Sequence, residues 1–251
     1  MTSQCVFTHD RGFCEGLRAS GSENLLYFGR SARNHAENQL PGSGLELEGV
    51  QYNRLVAEEQ AMHPASDRVK LTYEDLLALP DDGMRHELID GEHYVTPSPA
   101  TPHQLILGNL YLLIGNYLRE RDLGVVLFAP FDVVFSRYDV VEPDLIYFTS
   151  ARFKEIVGDK NAQGAPDLAV EILSPSTRRR DEIIKRRLYE RTGVGEYWVV
   201  DPELETVKVH RLVDGKYQKA AELSLEDDAV LTTPLLPDLC LPLKQIFELP
   251  S

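Results

Sequence analysis

Two acidic residues stand where apolar residues dominate. In "PDLAVEILSPSTRRRD", residues 166–181, Glu171 lies between Val170 and Ile172, and in "VVEPDLIYF" Asp144 follows Pro143 at the entrance to an apolar run. Alternation along a strand sets Leu168, Val170 and Ile172 on one face and Asp167, Ala169, Glu171 and Leu173 on the other. A carboxylate withdrawn from water needs a cation or strong donors, because burying that charge unpaired is expensive. Two kinds of partner would satisfy Glu171. One is a divalent ion, for which two carboxylates, a backbone carbonyl and water make a suitable Mg²⁺ site. The other is an Arg or Lys of the segment that follows. Asp144 can converge with Glu171 if the two strand ends are neighbours; otherwise Pro143-Asp144 reads as a turn.

The elements that must position these residues come from pattern. "LTYEDLLALPDDG" opens with Thr72 and Asp75 in capping-box spacing and closes its short helix at Pro80. "HELIDGEHYV" is two short runs about Asp90-Gly91, a tight hairpin. "HQLILGNLYLLIGNYLRERD" predicts a long helix whose apolar side carries Leu105, Leu112, Leu113 and Tyr117. Short β-rich runs follow, "VVLF", "FDVVF" and "DLIYF", then "DLAVEIL", a helix over "RDEIIKRRLYERTG" stopped near Gly193, and strands in "EYWVVD", "TVKVHRL" and "GKYQKAAEL". This order predicts an α/β fold, a central mixed β-sheet flanked by helices. Residues 67–251 are expected to form a single domain. Residues 1–66, polar and without periodicity, are expected to be a disordered or extended tail.

Composition narrows the partners. The 251 residues are 43% hydrophobic and 26% charged, and no apolar run approaches the roughly 18 residues needed to cross a bilayer. Cys5, Cys14 and Cys240 form neither a disulfide framework nor close metal-ligand pairs, which points to a reducing, cytoplasmic setting. A formal charge of −14 argues against a general polyanion binder, since phosphate binding relies on Lys and Arg displacing counterions. Any nucleic-acid contact must be local. Arg178, Arg179, Arg180, Lys185, Arg186, Arg187 and Arg191 supply such a concentration, or else a solvated helix face. Trp198 and Tyr197 read as packing residues.

The blocks "HELIDGEHYVTPSPATPHQ", "EPDLIYF", "GAPDLAVEILSPSTRRRD" and "KRRLYERTGVGEYWVVDPE" occur in one order that resembles the Uma-type restriction endonuclease family, a branch of the PD-(D/E)XK nuclease superfamily. The resemblance runs from about Val69 to Leu212, is expected to extend to the C-terminus and does not include the tail. It implies a restriction-endonuclease-like core of αβββαβ order, phosphodiester hydrolysis of DNA dependent on Mg²⁺ or Mn²⁺, and a homodimer. On this resemblance Asp144 and Glu171, with the carbonyl of Ile172, hold the ion, while Arg178, Arg179 and Arg180 reach backbone phosphates. The superfamily lysine two residues after the Glu is absent: Leu173 stands there. Lys185 is the replacement cation, within a block also matched by Asp181 and Tyr189; its plainer reading is an i,i+4 salt bridge with Asp181. Glu87 matches a further acidic residue with an outer-sphere role, or is a surface glutamate of the hairpin. His103 would touch a phosphate or the attacking water, or is an exposed first-turn histidine. Leu173 and the acidic surface also suit the alternative of a catalytically inactive nucleic-acid-binding or assembly module on the same fold.

Overall fold

Thr72 accepts the amide of Asp75 while the Asp75 carboxylate accepts the amide of Thr72, and this reciprocal cap starts α1 (Tyr73–Leu77). The computed structural model describes residues 69–250, so the expected tail at 1–66 lies outside the described residues. Asp90 and Gly91 take positive φ, 54° and 75°, as a two-residue hairpin turn requires. They join β1 (Arg85–Ile89) to β2 (Glu92–Thr96), with Ile89 opposite Glu92.

The long helix is α2 (Thr101–Arg119), with Pro102 in its first turn. Its buried seam is His103, Ile106, Leu107, Leu110, Ile114 and Leu118. Of the expected stripe, Leu113 and Tyr117 do pack against this core, whereas Leu112 is 57% exposed and is corrected. Apolar residues run around much of this helix, and spacing alone could not choose the side that meets the sheet.

The chain continues through β3 (Gly124–Phe128), β4 (Asp132–Ser136), β5 (Asp139–Val141), β6 (Leu145–Thr149), α3 (Ser150–Ile156), β7 (Asn161–Gln163) and β8 (Leu168–Ile172). A π-helical stretch, Arg180–Lys185, runs into α4 (Arg186–Thr192), which ends on Gly193 at φ 86°. Then come β9 (Glu196–Asp201), β10 (Thr206–Val213), β11 (Lys216–Ser224), β12 (Val230–Thr233), β13 (Leu236–Pro242) and α5 (Leu243–Ile246).

The strands form not one central sheet but two larger sheets and a hairpin. The six-stranded sheet has the order β11-β10-β9-β8-β6-β3, and the five-stranded sheet β2-β1-β5-β4-β7. Within the larger sheet, β8 runs parallel to β9 and antiparallel to β6, so the sheet is mixed as expected. The sequence α2, β3, β6, β8, α4, β9 reproduces the αβββαβ order, with β4, β5 and β7 diverted into the second sheet. Strands β5 and β7 have three residues each and carry too short a pattern to be read from sequence.

Both faces of the six-stranded sheet are covered, which is why every residue of β8 is buried. On one face Leu168, Val170 and Ile172 pack with α2, the β12–β13 hairpin and α5. On the other, Ala169 and Leu173 pack with Ile89, Val133 and Val141 of the second sheet and with Leu188 and Tyr189 of α4. Trp198 and Tyr197 are fully buried, as their packing reading required. Cys240 is disulfide-bonded, against the expectation that the cysteines form no disulfide framework. No helix among the described residues is long and apolar enough to cross a membrane.

The junction of β3 and β6 is close enough to exclude a side chain. At Gly124, φ 156°, an added Cβ would fall 2.0 Å from the carbonyl oxygen of Phe148. Gly124→Ala should therefore lower stability by about 3 kcal/mol in urea denaturation. A midpoint and slope equal to wild type would show that this junction yields freely.

Candidate active site

The register of β6 on β8 settles whether the two acids meet. Leu145 lies opposite Val170 and Ile146 opposite Ala169, and one further step brings Asp144 opposite Glu171. Both carboxylates are buried and line one cavity of about 200 Å³, with Arg85, His103, Arg180, Asp181 and Lys185 around them. The rims are the two Ser/Pro loops, 96–100 and 174–177.

Each carboxylate has its own set of partners. Asp144 Oδ2 accepts the amide of Ile172 at 2.8 Å and lies 3.1 Å from His103 Nε2, while Oδ1 accepts Arg85 Nη1 at 2.8 Å. Glu171 Oε1 accepts Lys185 Nζ at 2.9 Å and the Tyr189 hydroxyl at 2.6 Å. Glu171 Oε2 makes no hydrogen bond among the described residues.

Lys185 is the cation that faces Glu171. Its Nζ lies 2.7 Å from Glu87 Oε1 and 2.9 Å from Glu171 Oε1, but 3.9 Å from Asp181 Oδ1. The simple i,i+4 bridge is thus the weakest of its three contacts. The wider π-helical turn carries this lysine on the segment that follows β8. Leu173 itself is buried among apolar side chains.

Glu87 and His103 are likewise buried rather than on the surface. Glu87 Oε1 accepts the amide of Glu142 at 2.9 Å, while its Oε2 is buried with no hydrogen bond and lies 3.6 Å from Arg180. The three arginines separate. Arg178 is paired with Asp201 through both carboxylate oxygens and with Glu203, Arg179 is exposed, and neither lines the cavity. Arg180 turns inward, bonds Thr96 and lies over the ring of Tyr94.

Arg85 and Glu142 belong to this constellation without having been singled out for it, and Tyr189, named only as part of the Lys185 block, joins it as a donor to Glu171. Arg85 is two residues from Glu87 on one strand face, and Tyr189 is four from Lys185 along a helix, so both periodicities were available as signals. Glu142 had none, since its place follows from the approach of β5 to β1.

Five carboxylates, Glu87, Glu142, Asp144, Glu171 and Asp181, meet three permanent cations, Arg85, Arg180 and Lys185. Their proton affinities diverge as a result. Burial alone would raise Asp144, but His103, Arg85 and the Ile172 amide outweigh it and hold the carboxyl well below its usual range. Burial pushes Glu171 up to about 8; Lys185 opposes this, while Asp181, Asp144 and Glu87 add to it. Burial likewise raises Asp181 to about 6. Burial would lower Lys185, but Glu171, Glu87 and Asp181 raise it, and it keeps its proton.

With this geometry in view, comparison with known proteins gives the relationship. Residues 73–244 match the Uma2 family, described as "Putative restriction endonuclease". The chain belongs to this family. A crystal structure described as "a putative nuclease belonging to DUF820 from Anabaena variabilis ATCC 29413" is similar at TM-score 0.60 and 23% identity, covering 70% of this chain and 97% of that one. At that identity the likeness carries the fold. No curated protein matches the chain.

The Uma2 fold implies a divalent ion, and the donor set here suits one. The donors are hard carboxyl oxygens, carboxyl groups outnumber the permanent cations, and Glu87 Oε2 and Asp181 Oδ1 are buried without hydrogen bonds. Among the described residues no cluster of three or more His, Cys, Asp or Glu side chains encloses an ion position. An ion would rest on Asp144 and Glu171, completed by backbone oxygen and water.

Two outcomes follow for this Uma2 member. Burial, with Asp132 and Glu87 nearby, pushes Glu142 from the usual 4.5 up to about 7. The folded carboxyl binds its proton more tightly than the unfolded one, so its contribution is present below about pH 4.5 and is lost as pH rises through about 7. Glu142→Gln should therefore reduce the loss of melting temperature between about pH 5 and about pH 8; an unchanged difference would reject this assignment. Leu173→Lys should lower stability by about 3 kcal/mol or more, because it sets an amine among apolar side chains while Glu171 is already paired with Lys185. Chemical denaturation measures it, and a neutral effect would mean that the pocket accepts a second cation.

Proposed function

We propose that the protein is a metal-dependent endonuclease that hydrolyses phosphodiester bonds of DNA, with Mg²⁺ or Mn²⁺ as cofactor. The observation that carries this reading is the convergence of Asp144 and Glu171, from separate strands, on one cavity beside the buried ammonium of Lys185. Asp144, Glu171 and the Ile172 carbonyl would hold the ion. When bound, such an ion lowers the pKa of a water and offsets charge developing on the scissile phosphate.

The chain's own groups do the rest. Asp144 stays ionised because His103, Arg85 and the Ile172 amide all favour its charged form. Lys185 keeps its proton, so it contributes positive charge to the phosphate rather than acting as a base. Its contacts to Glu87 and Glu171 fix where that charge lies. Tyr189 and Lys185 occupy Oε1 of Glu171 and leave Oε2 for the ion. His103, held through Nε2 by Asp144, orients that carboxylate from the first turn of α2. Arg179 would meet the DNA backbone, with Arg178 reserved to Asp201 and Arg180 held inward by Thr96 and Glu87. In the reaction one P–O bond forms to water as one P–O ester bond breaks, and the leaving oxygen takes up a proton. A homodimer would supply a second centre for the opposite strand.

One observation favours a second reading, a catalytically inactive binding or assembly module. The buried acids already carry Lys185 and Arg85 as counter-ions, a network that is partly neutralised without a metal. Incubation of supercoiled and duplex DNA with Mg²⁺ or Mn²⁺ on a gel separates the two. Cutting is expected from the wild type, and Asp144→Asn and Glu171→Gln should each reduce it by about a hundredfold or more while melting cooperatively. Retained cutting in both variants would assign the activity elsewhere, and a mobility shift without cutting in the wild type would establish the binding module.

A further inference from the structure

Asp144 has two oxygens in different circumstances. Oδ2 is spent on the Ile172 amide and His103 Nε2, whereas Oδ1 is held by the single donor Arg85 Nη1 at 2.8 Å. Oδ1 is therefore the oxygen open to an incoming ion, and Arg85 stands on it.

Arg85 is not consumed by that contact. Only its Nη1 is engaged, with Asp144 and, at 3.5 Å, with the Glu142 carbonyl; Nε and Nη2 make no hydrogen bond among the described residues. The side chain is 21% exposed and lines both the cavity at the acids and the adjoining one of about 380 Å³. Its backbone is fixed by the pairing of Arg85 with Thr96 on β2, so any movement belongs to the side chain. The neighbouring arginines are committed differently: Arg178 to Asp201 and Glu203, Arg180 to Thr96 and Glu87.

We propose that Arg85 is the resident counter-ion of Asp144, giving up Oδ1 when a divalent cation binds and turning its guanidinium onto the phosphate being cut. This rests on the nuclease reading above. Like charges repel strongly in a cleft of low dielectric, so a guanidinium and a divalent ion do not share Oδ1. The planar fork that leaves a carboxylate fits a phosphodiester equally well, through two parallel N–H···O bonds. Exchange of Arg85 from acid to phosphate couples the two ligands: the ion frees the guanidinium for DNA, and DNA removes the ion's competitor. It also keeps Asp144 compensated while the site awaits either ligand.

The full chain and its Arg85→Met variant test this. By calorimetry, Arg85→Met should bind Mn²⁺ about tenfold more tightly than wild type, since the competitor is gone. By fluorescence anisotropy in Ca²⁺, the same variant should bind a labelled duplex about tenfold more weakly, because the fork is missing. Equal or weaker Mn²⁺ affinity in the variant, with uptake by the wild type intact, overturns the Arg85 inference and leaves the nuclease reading standing. No Mn²⁺ uptake by the folded wild type overturns both. Should Arg85→Met not fold, a crystal structure of the wild type grown with Mn²⁺ reads the exchange directly. Arg85 released from Asp144 supports it, and Arg85 still on Oδ1 beside a bound ion overturns it.

Discussion

The ammonium of Lys185 sits 2.7 Å from Glu87 and 2.9 Å from Glu171 in a place that water scarcely reaches. Losing one member of a buried pair leaves an uncompensated charge, a penalty of about 3–5 kcal/mol. Glu87 comes from the five-stranded sheet, Glu171 from the six-stranded sheet and Lys185 from the π-helical segment between β8 and α4. These three charges are satisfied only where all three elements meet. The contact thus joins architecture and candidate chemistry: an ion pair in water would constrain neither, whereas a buried one constrains both.

Around it the two central carboxylates are driven apart. Asp144 and Glu171 are opposite each other in the sheet, yet one is held ionised by a histidine, an arginine and an amide, while burial pushes the other up to about 8. Separation of this kind lets adjacent acids of one type take distinct roles. The excess of carboxylates over cations has the same origin. The fold gathers acids from β1, the β5–β6 junction, β8 and the π-helical segment, and supplies fewer positive side chains than would neutralise them. A divalent ion is the kind of partner such a deficit favours.

The candidate site was legible where chemistry violated pattern. Glu171 inside a β-rich run and Asp144 at the mouth of another stood out because alternation predicts a partly buried charge there, and the β6–β8 register does bring them together. A cation for Glu171 was expected from the segment after β8, and Lys185 is that cation. The three-arginine run was a poorer guide. Adjacent helical residues point about 100° apart, so Arg178, Arg179 and Arg180 go to Asp201, to solvent and into the cavity. The seam of α2 was misjudged for a related reason, an apolar surface broader than the strip that a sheet can cover.

What the sequence determined by itself was local: the capping box at Thr72, the Asp90-Gly91 turn, the stop at Gly193 and the alternation through β8. Each depends on the backbone preferences or polarity of residues within a few positions. Tertiary structure decided the division of the strands into two sheets, the burial of Glu87 and His103, and the engagement of Arg85, Tyr189 and Glu142. Those outcomes rest on contacts between residues far apart in the chain, such as Arg85 with Asp144 at 59 positions and Thr96 with Arg180 at 84. No periodicity carries such distances; the packing of covered sheet faces does.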